Sequence, residues 1–170
     1  MSAGDGGRPV GNGRAWRWGV AVAVLVFAAD QAIKGWVLIG IMDPPRTIPV
    51  TPFFNLVVAW NRGISFGLFD SQQSWNAWLL PVIAVVIVAV LAYWLSRAEG
   101  RLLALALGMV IGGAIGNVVD RLHFDGAVMD FLDFHLFGYH WPAFNVADAA
   151  ISLGATVLML QSLFGRAKSH

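Results

Sequence analysis

Asp148 lies about one helical turn inside the apolar stretch Phe144 to Phe164, which carries no basic residue. An ionisable group in such a place is costly and is a candidate for function. A second acidic cluster, Val128-Met129-Asp130-Phe131-Leu132-Asp133, lies shortly before it. Two carboxylates brought together share one proton. One then acts as base on a water while the other protonates a carbonyl oxygen. That is aspartic-protease chemistry. Composition permits such a pair and does not select which acids form it.

Other polar residues interrupt apolar sequence. Asp30 and Lys34 are four apart, on one helix face, and can pair. They read either as a functional pair or as a charge pair that fixes helix packing. Gly108, Gly112 and Gly116 form a small-xxx-small ladder that lets a second helix approach closely. One more step of four reaches Asp120, which therefore points into the bundle, while the neighbouring row holds Gly113, Asn117 and Arg121. Asp120 and Arg121 fit catalysis or bracing of the helix end. Gly63-Ile64-Ser65-Phe66-Gly67 spells the G-x-S-x-G of a nucleophile elbow. An elbow needs a strand-turn-helix setting and a histidine partner. This stretch lies well before the next helical run, and no histidine precedes His123, so Ser65 is read as structural. His123, His135, His140 and His170 form no metal-binding helical pair, and no metal site is expected.

The elements that must position these residues follow from composition. The chain has 170 residues, 58% of them hydrophobic and only 12% charged. A soluble domain carries about twice that charged fraction, so much of the apolar surface is expected to face lipid. There is no cysteine, which excludes disulfides, thiolate catalysis and zinc-thiolate sites. No basic stripe exists to bind nucleic acid.

Four spans are predicted, at about 18–42, 76–95, 102–120 and 144–164, in a single integral membrane domain. Ala77 to Leu95 holds no charge and nearly crosses a hydrocarbon core of about 30 Å. The first span resembles a cleaved leader in its early part. Apolar sequence resumes at Gly35 to Met42, which favours a full span. Arg8, Arg14, Arg17, Arg97, Arg101, Arg166 and Lys168 fall on one side, against Arg46, Arg62 and Arg121 on the other. The positive-inside rule then puts both termini in the cytoplasm. Residues 1–17 form a cytoplasmic tail, and 43–75 and 121–143 are extracytoplasmic. The run Phe53 to Trp60 is β-branched and aromatic and predicts a small strand-rich element within Pro44 to Asp70. Arg121 to Pro142 is expected to lie along the membrane surface. The fold class is membrane all-α with these two additions.

The motifs together resemble bacterial lipoprotein signal peptidase, or signal peptidase II, over nearly the whole chain. They are DQAIK (Asp30 to Lys34), WNRGISFG (Trp60 to Gly67), GGAIGNVVDR (Gly112 to Arg121), VMDF (Val128 to Phe131) and FNVAD (Phe144 to Asp148). The resemblance implies that Asp130 and Asp148 are the catalytic dyad and that Asp120 is structural, with Asp30 and Lys34 as structural polar residues. It makes Asn61, Gly63, Asn117, Arg121 and Asn145 candidates for substrate binding or dyad support. It implies an inner-membrane aspartic endopeptidase, without cofactor, acting near the extracytoplasmic face. Its substrate would be a diacylglyceryl-modified prolipoprotein, cut just before the lipidated cysteine. Membrane lipid is the other partner, and a monomer is expected. The rival from another class is a small proton-coupled transporter, with Asp30, Lys34, Asp120 and Asp148 as a proton relay. A non-catalytic assembly subunit held by the glycine ladder is a third reading.

Overall fold

Long apolar runs dominate the sequence, and they fold as helices because a helix satisfies its backbone polar groups internally. The computed structural model describes residues 14–63 and 76–165. Ser65 lies outside them. Four helices are long and apolar enough to cross a membrane. Helix α1 covers Ala15–Gly35 and continues as a π-helical stretch, Trp36–Ile41. It takes in Ala15 to Arg17, which the sequence reading left in the tail. Helix α2 covers Asn76–Ser96 with Pro81 near its start, α3 covers Arg101–His123, and α4 covers Val146–Gly165.

Helix α3 is the central element, packed against α1, α2 and α4. Its glycines explain why. A Cβ at Gly112 would lie 2.9 Å from Ala23 Cα, and one at Gly113 would lie 2.5 Å from the Ala147 carbonyl oxygen. The glycine row and the adjacent Gly113 therefore bring α3 into backbone contact with α1 on one side and α4 on the other. Ala15, Ala23, Leu95, Ala98, Leu107 and Ile111 close the bundle core. Helix α2 leaves Val82, Ile83, Val85, Val86 and Val90 exposed, an uncharged face suited to lipid.

The segments between helices form one antiparallel sheet. Its strands are β1 (Ile48–Thr51), β2 (Phe54–Asn61), β3 (Val128–Leu136) and β4 (Tyr139–His140), in the order β1-β2-β3-β4. Strand β2 was foreseen as part of a strand-rich element. In the second segment, expected along the membrane surface, no strand was foreseen. That segment supplies half of the sheet, because Ala59 pairs with Asp130 and Phe54 with Phe134 across β2 and β3. Met129 and Phe131 pack one face of β3 onto Val37 and Met42 at the end of the first span. Burying that face in the helix ends is what makes a strand of the segment. The chain then returns through Phe144, which pairs with Leu132 before α4 begins.

Candidate functional site

The start of α4 is held by a reciprocal cap. The Asp148 N–H donates to Asn145 Oδ1 at 2.9 Å, and the Asn145 N–H donates to Asp148 Oδ2 at 3.2 Å. This is capping-box geometry, with Asn145 at the cap and Asp148 three residues on. It fixes the Asp148 carboxylate at the helix N-terminus, where negative charge is favoured. The same Asn145 donates its amide to Asp130 Oδ1 at 2.7 Å. One residue thus spans both acids. Asn117, on α3, donates to Asp148 Oδ1 at 2.8 Å, and its own oxygen accepts from Asn145 at 3.3 Å. The other oxygen of Asp130 accepts from Asn61 Nδ2 at 3.0 Å.

Asn61 points the right way because of Gly63. The Gly63 N–H donates to Asn61 Oδ1 at 2.8 Å, which turns the amide nitrogen toward Asp130. Gly63 has φ +89°, a conformation that glycine adopts without strain. Asp130 is fully buried and Asp148 half-buried. Burial is the largest influence on Asp130 and raises its pKa from 3.8 to about 6. The Asp148 charge raises it further, while the Asn61 and Asn145 hydrogen bonds and the Lys34 charge act the other way.

Behind the two acids lies a buried ionic triad. Lys34 Nζ sits 2.7 Å from Asp30 Oδ2 and 2.8 Å from Asp120 Oδ2. All three side chains are almost wholly buried. Gly116 leaves room for it, since a Cβ there would stand 2.7 Å from Asp30 Oδ2. Each carboxylate also takes a backbone N–H next to one of the paired acids. Asp30 Oδ1 accepts from Ala147 at 3.0 Å, and Asp120 Oδ2 accepts from Met129 at 3.1 Å. The triad therefore yokes residue 147 to residue 129, one step before Asp148 and Asp130. Gln31 closes it, donating to Asp120 Oδ1 at 3.0 Å and Asp30 Oδ2 at 3.2 Å.

Arg121 donates to the Asn117 carbonyl at 3.3 Å and makes no ion pair among the described residues, where its buried Nε has no partner. Asp133 is not part of the cluster. It accepts from Asn55 at 2.9 Å and lies 2.8 Å from His140 Nδ1. Burial raises its pKa, but these hydrogen bonds and the nearby histidines outweigh that and lower it. Among the described residues no three His, Cys, Asp or Glu side chains are grouped as metal ligands.

The structure thus brings together Asp130, Asp148, Asn61, Asn117 and Asn145, with Asp30, Lys34 and Asp120 behind. Two features escaped the sequence reading. Gln31 was not singled out within DQAIK. The cap was legible as Asn145-x-x-Asp148 and was not taken as one.

Both the sequence and the fold have counterparts among known proteins. Residues 22–164 match the family described as Signal peptidase (SPase) II. Lipoprotein signal peptidase of Methylobacterium sp. (strain 4-46) is 42% identical over 151 residues, 88% of this chain and 91% of that one. Its counterpart from Rhodopseudomonas palustris (strain TIE-1) is 44% identical over 154 residues, 88% and 93% of the two chains. A bacterial membrane enzyme solved by the in meso method superposes with a TM-score of 0.76 at 26% identity, covering 89% of this chain and 91% of that one. The proton-coupled transporter reading finds no support in these matches. With most of the bundle, the whole sheet and every motif inside the matched region, the chain belongs to the signal peptidase II family.

Proposed function

We propose that this protein removes signal peptides from diacylglyceryl-modified prolipoproteins, cutting just before the lipidated cysteine, by an aspartic mechanism centred on Asp130 and Asp148. The observation that carries the mechanism is the pairing itself. One acid is buried with a pKa near 6, the other is half-buried, and a single Asn145 bridges them. At weakly acid pH, around that value, Asp130 carries in a good part of the molecules the proton that such chemistry needs. The ionised carboxylate takes a proton from a water between the two acids, and the water oxygen bonds to the scissile carbonyl carbon. The protonated carboxyl gives its proton to the carbonyl oxygen. Collapse of the tetrahedral intermediate breaks the C–N bond, and the cysteine nitrogen leaves as an amine after accepting a proton.

Asn61, Asn117 and Asn145 hold the two acids, and the Arg121 guanidinium is a donor for a substrate carbonyl or ester oxygen. The acyl chains of the substrate would remain in the bilayer, which places the scissile bond near the membrane surface at the sheet end of the bundle. The basic residues put that end outside the cytoplasm and both termini within it, in the bacterial inner membrane. The protein is proposed to act as a monomer. The test is cleavage of a diacylglyceryl-modified precursor by purified protein in detergent. Wild type should cleave, and well-folded Asp130→Asn and Asp148→Asn should not. Processing by either variant would overturn the dyad.

A further inference from the structure

Exposed apolar residues are not spread evenly over the sheet. They gather at the end formed by the β1–β2 turn and the β3–β4 hairpin, where Phe53, Leu136, Phe137, Tyr139 and Trp141 all face outward. Phe137 is 92% exposed and Tyr139 84%. The opposite end of the sheet carries one exposed aromatic, Trp60, beside Asn61, Arg62 and Asp125. From Phe134 to Ala147 the chain has no Asp, Glu, Lys or Arg. A hairpin tip in water is normally charged or polar, and an exposed aromatic patch marks a contact surface.

The turn itself gives an independent sign. Leu136 pairs with Tyr139, so Phe137 and Gly138 form a two-residue loop, with φ +50° and +82°. Such loops favour Asn, Asp or Gly at both positions, because a bulky side chain is strained there. A phenylalanine here bears that strain and contacts almost nothing within the protein. Its benefit must come from outside the chain.

The position of the tip selects the occupant. Phe144 pairs with Leu132 just before α4 enters its span, so the base of the hairpin is tied to a helix end. Phe137 lies five residues beyond Leu132, roughly 16 Å along an extended strand. The tip therefore lies about that far from the start of α4, on the strand that carries Asp130. Beside it runs an apolar groove of about 490 Å³, lined by Phe53, Phe134, Leu136, Tyr139 and Trp141 among others. Tyrosine and tryptophan are the side chains that settle at the headgroup level of a bilayer.

We propose that the β3–β4 hairpin tip is a membrane anchor, with Phe137, Tyr139 and Trp141 seated in the interfacial zone of the surrounding lipid. Asp130 and Leu136 lie on the same strand, an even number of residues apart, and so on the same face. The depth of the tip then sets the height of the Asp130 carboxylate over the acyl region.

The absence of cysteine makes the test direct. Single-cysteine variants Tyr139→Cys and Arg62→Cys carry an environment-sensitive fluorophore in protein reconstituted into nanodiscs, with or without nitroxide-labelled phospholipid. The label at 139 should be blue-shifted and quenched at least several-fold more than the label at 62. Adding Phe137→Asn, which suits the turn, should keep or raise thermal stability while reducing the quenching at 139. Aqueous emission at 139, equal quenching at both sites, or quenching at 139 only when a lipidated precursor is added would each overturn the anchor. None of these readouts depends on peptidase activity, so failure here leaves the dyad untouched, and an active Asp130→Asn would leave the anchor untouched.

Discussion

Replacing Lys34 by methionine tests the yoke behind the two acids. Met has similar reach and no charge. It would leave Asp30 and Asp120 buried, their oxygens facing the space that Nζ filled at 2.7 and 2.8 Å. Removing one partner of a buried ionic network costs about 3–5 kcal/mol. One of the two carboxylates can take up a proton, so the lower end applies, about 3 kcal/mol. For a chain of this size that is a fall in melting temperature of about 6–12 °C. The second effect is on the reaction. If repulsion loosens either hook, at Ala147 or Met129, then Asp148 or Asp130 shifts relative to the other. A displacement approaching 1 Å costs about 100-fold. The expected result at matched folded fraction is therefore a kcat about 10- to 100-fold lower with KM little changed. The Lys34 charge also helps to hold the Asp130 pKa down, so its loss should move the alkaline limb of the pH–rate profile upward. Lys34→Arg keeps the charge and should restore part of each effect. The assay pairs thermal unfolding in detergent with initial rates on a lipidated precursor across pH 5 to 8. A Lys34→Met protein with unchanged melting temperature, kcat and pH limb would refute the reasoning.

Asn61→Ala removes a donor from Asp130 and should raise its pKa by roughly half to one unit, shifting the alkaline limb of kcat/KM upward; a downward shift would contradict the hydrogen bond's direction. Asp130 has a folded pKa near 6, above its ordinary 3.8, so its contribution to stability is full below about pH 4 and is lost as pH rises through 6. The melting temperature of Asp130→Asn, relative to wild type, should therefore rise between pH 4 and pH 8, which calorimetry in detergent would read. Gly112→Ala places a methyl 2.9 Å from Ala23 Cα and should destabilise by about 1–3 kcal/mol, seen as a lower melting temperature with any surviving folded protein still active.

Much of this molecule is legible in its sequence because membrane helices declare themselves by length and composition. The glycine ladder is equally plain, and its continuation to Asp120 gave the direction of that side chain. Strand β3 was harder. Its face toward the helices holds Met129 and Phe131, but the other holds Asp130, Leu132 and Phe134, so both faces mix with apolar residues. Without alternation, period-two reading fails. Asp130 and Asp148 were reached by chemistry as candidates and singled out by motif, because no local pattern says which acid on a strand will meet which acid on a helix. Gln31 was illegible for a similar reason. A glutamine beside an aspartate in a span has no local mark that distinguishes a network member from a polar residue reaching for the interface. Its role appears only when α3 brings in Asp120, 89 positions away.

The choice of asparagine around the pair follows from charge. Both acids receive their hydrogen bonds from neutral amides, Asn61, Asn117 and Asn145. A lysine or arginine bonded directly to either would favour two ionised carboxylates, and the shared proton would be lost. Lys34 is near enough to lower the Asp130 pKa, but its close contacts are with Asp30 and Asp120. Arg121 bonds to a carbonyl and to no carboxylate among the described residues. Position and protonation are thus handled by different groups. The charged triad acts on the backbone one residue before each acid, where it fixes geometry. The amides act on the carboxylates themselves, where they orient without fixing the charge. A cation bonded directly to either carboxylate in place of one of these amides would remove the proton the chemistry uses.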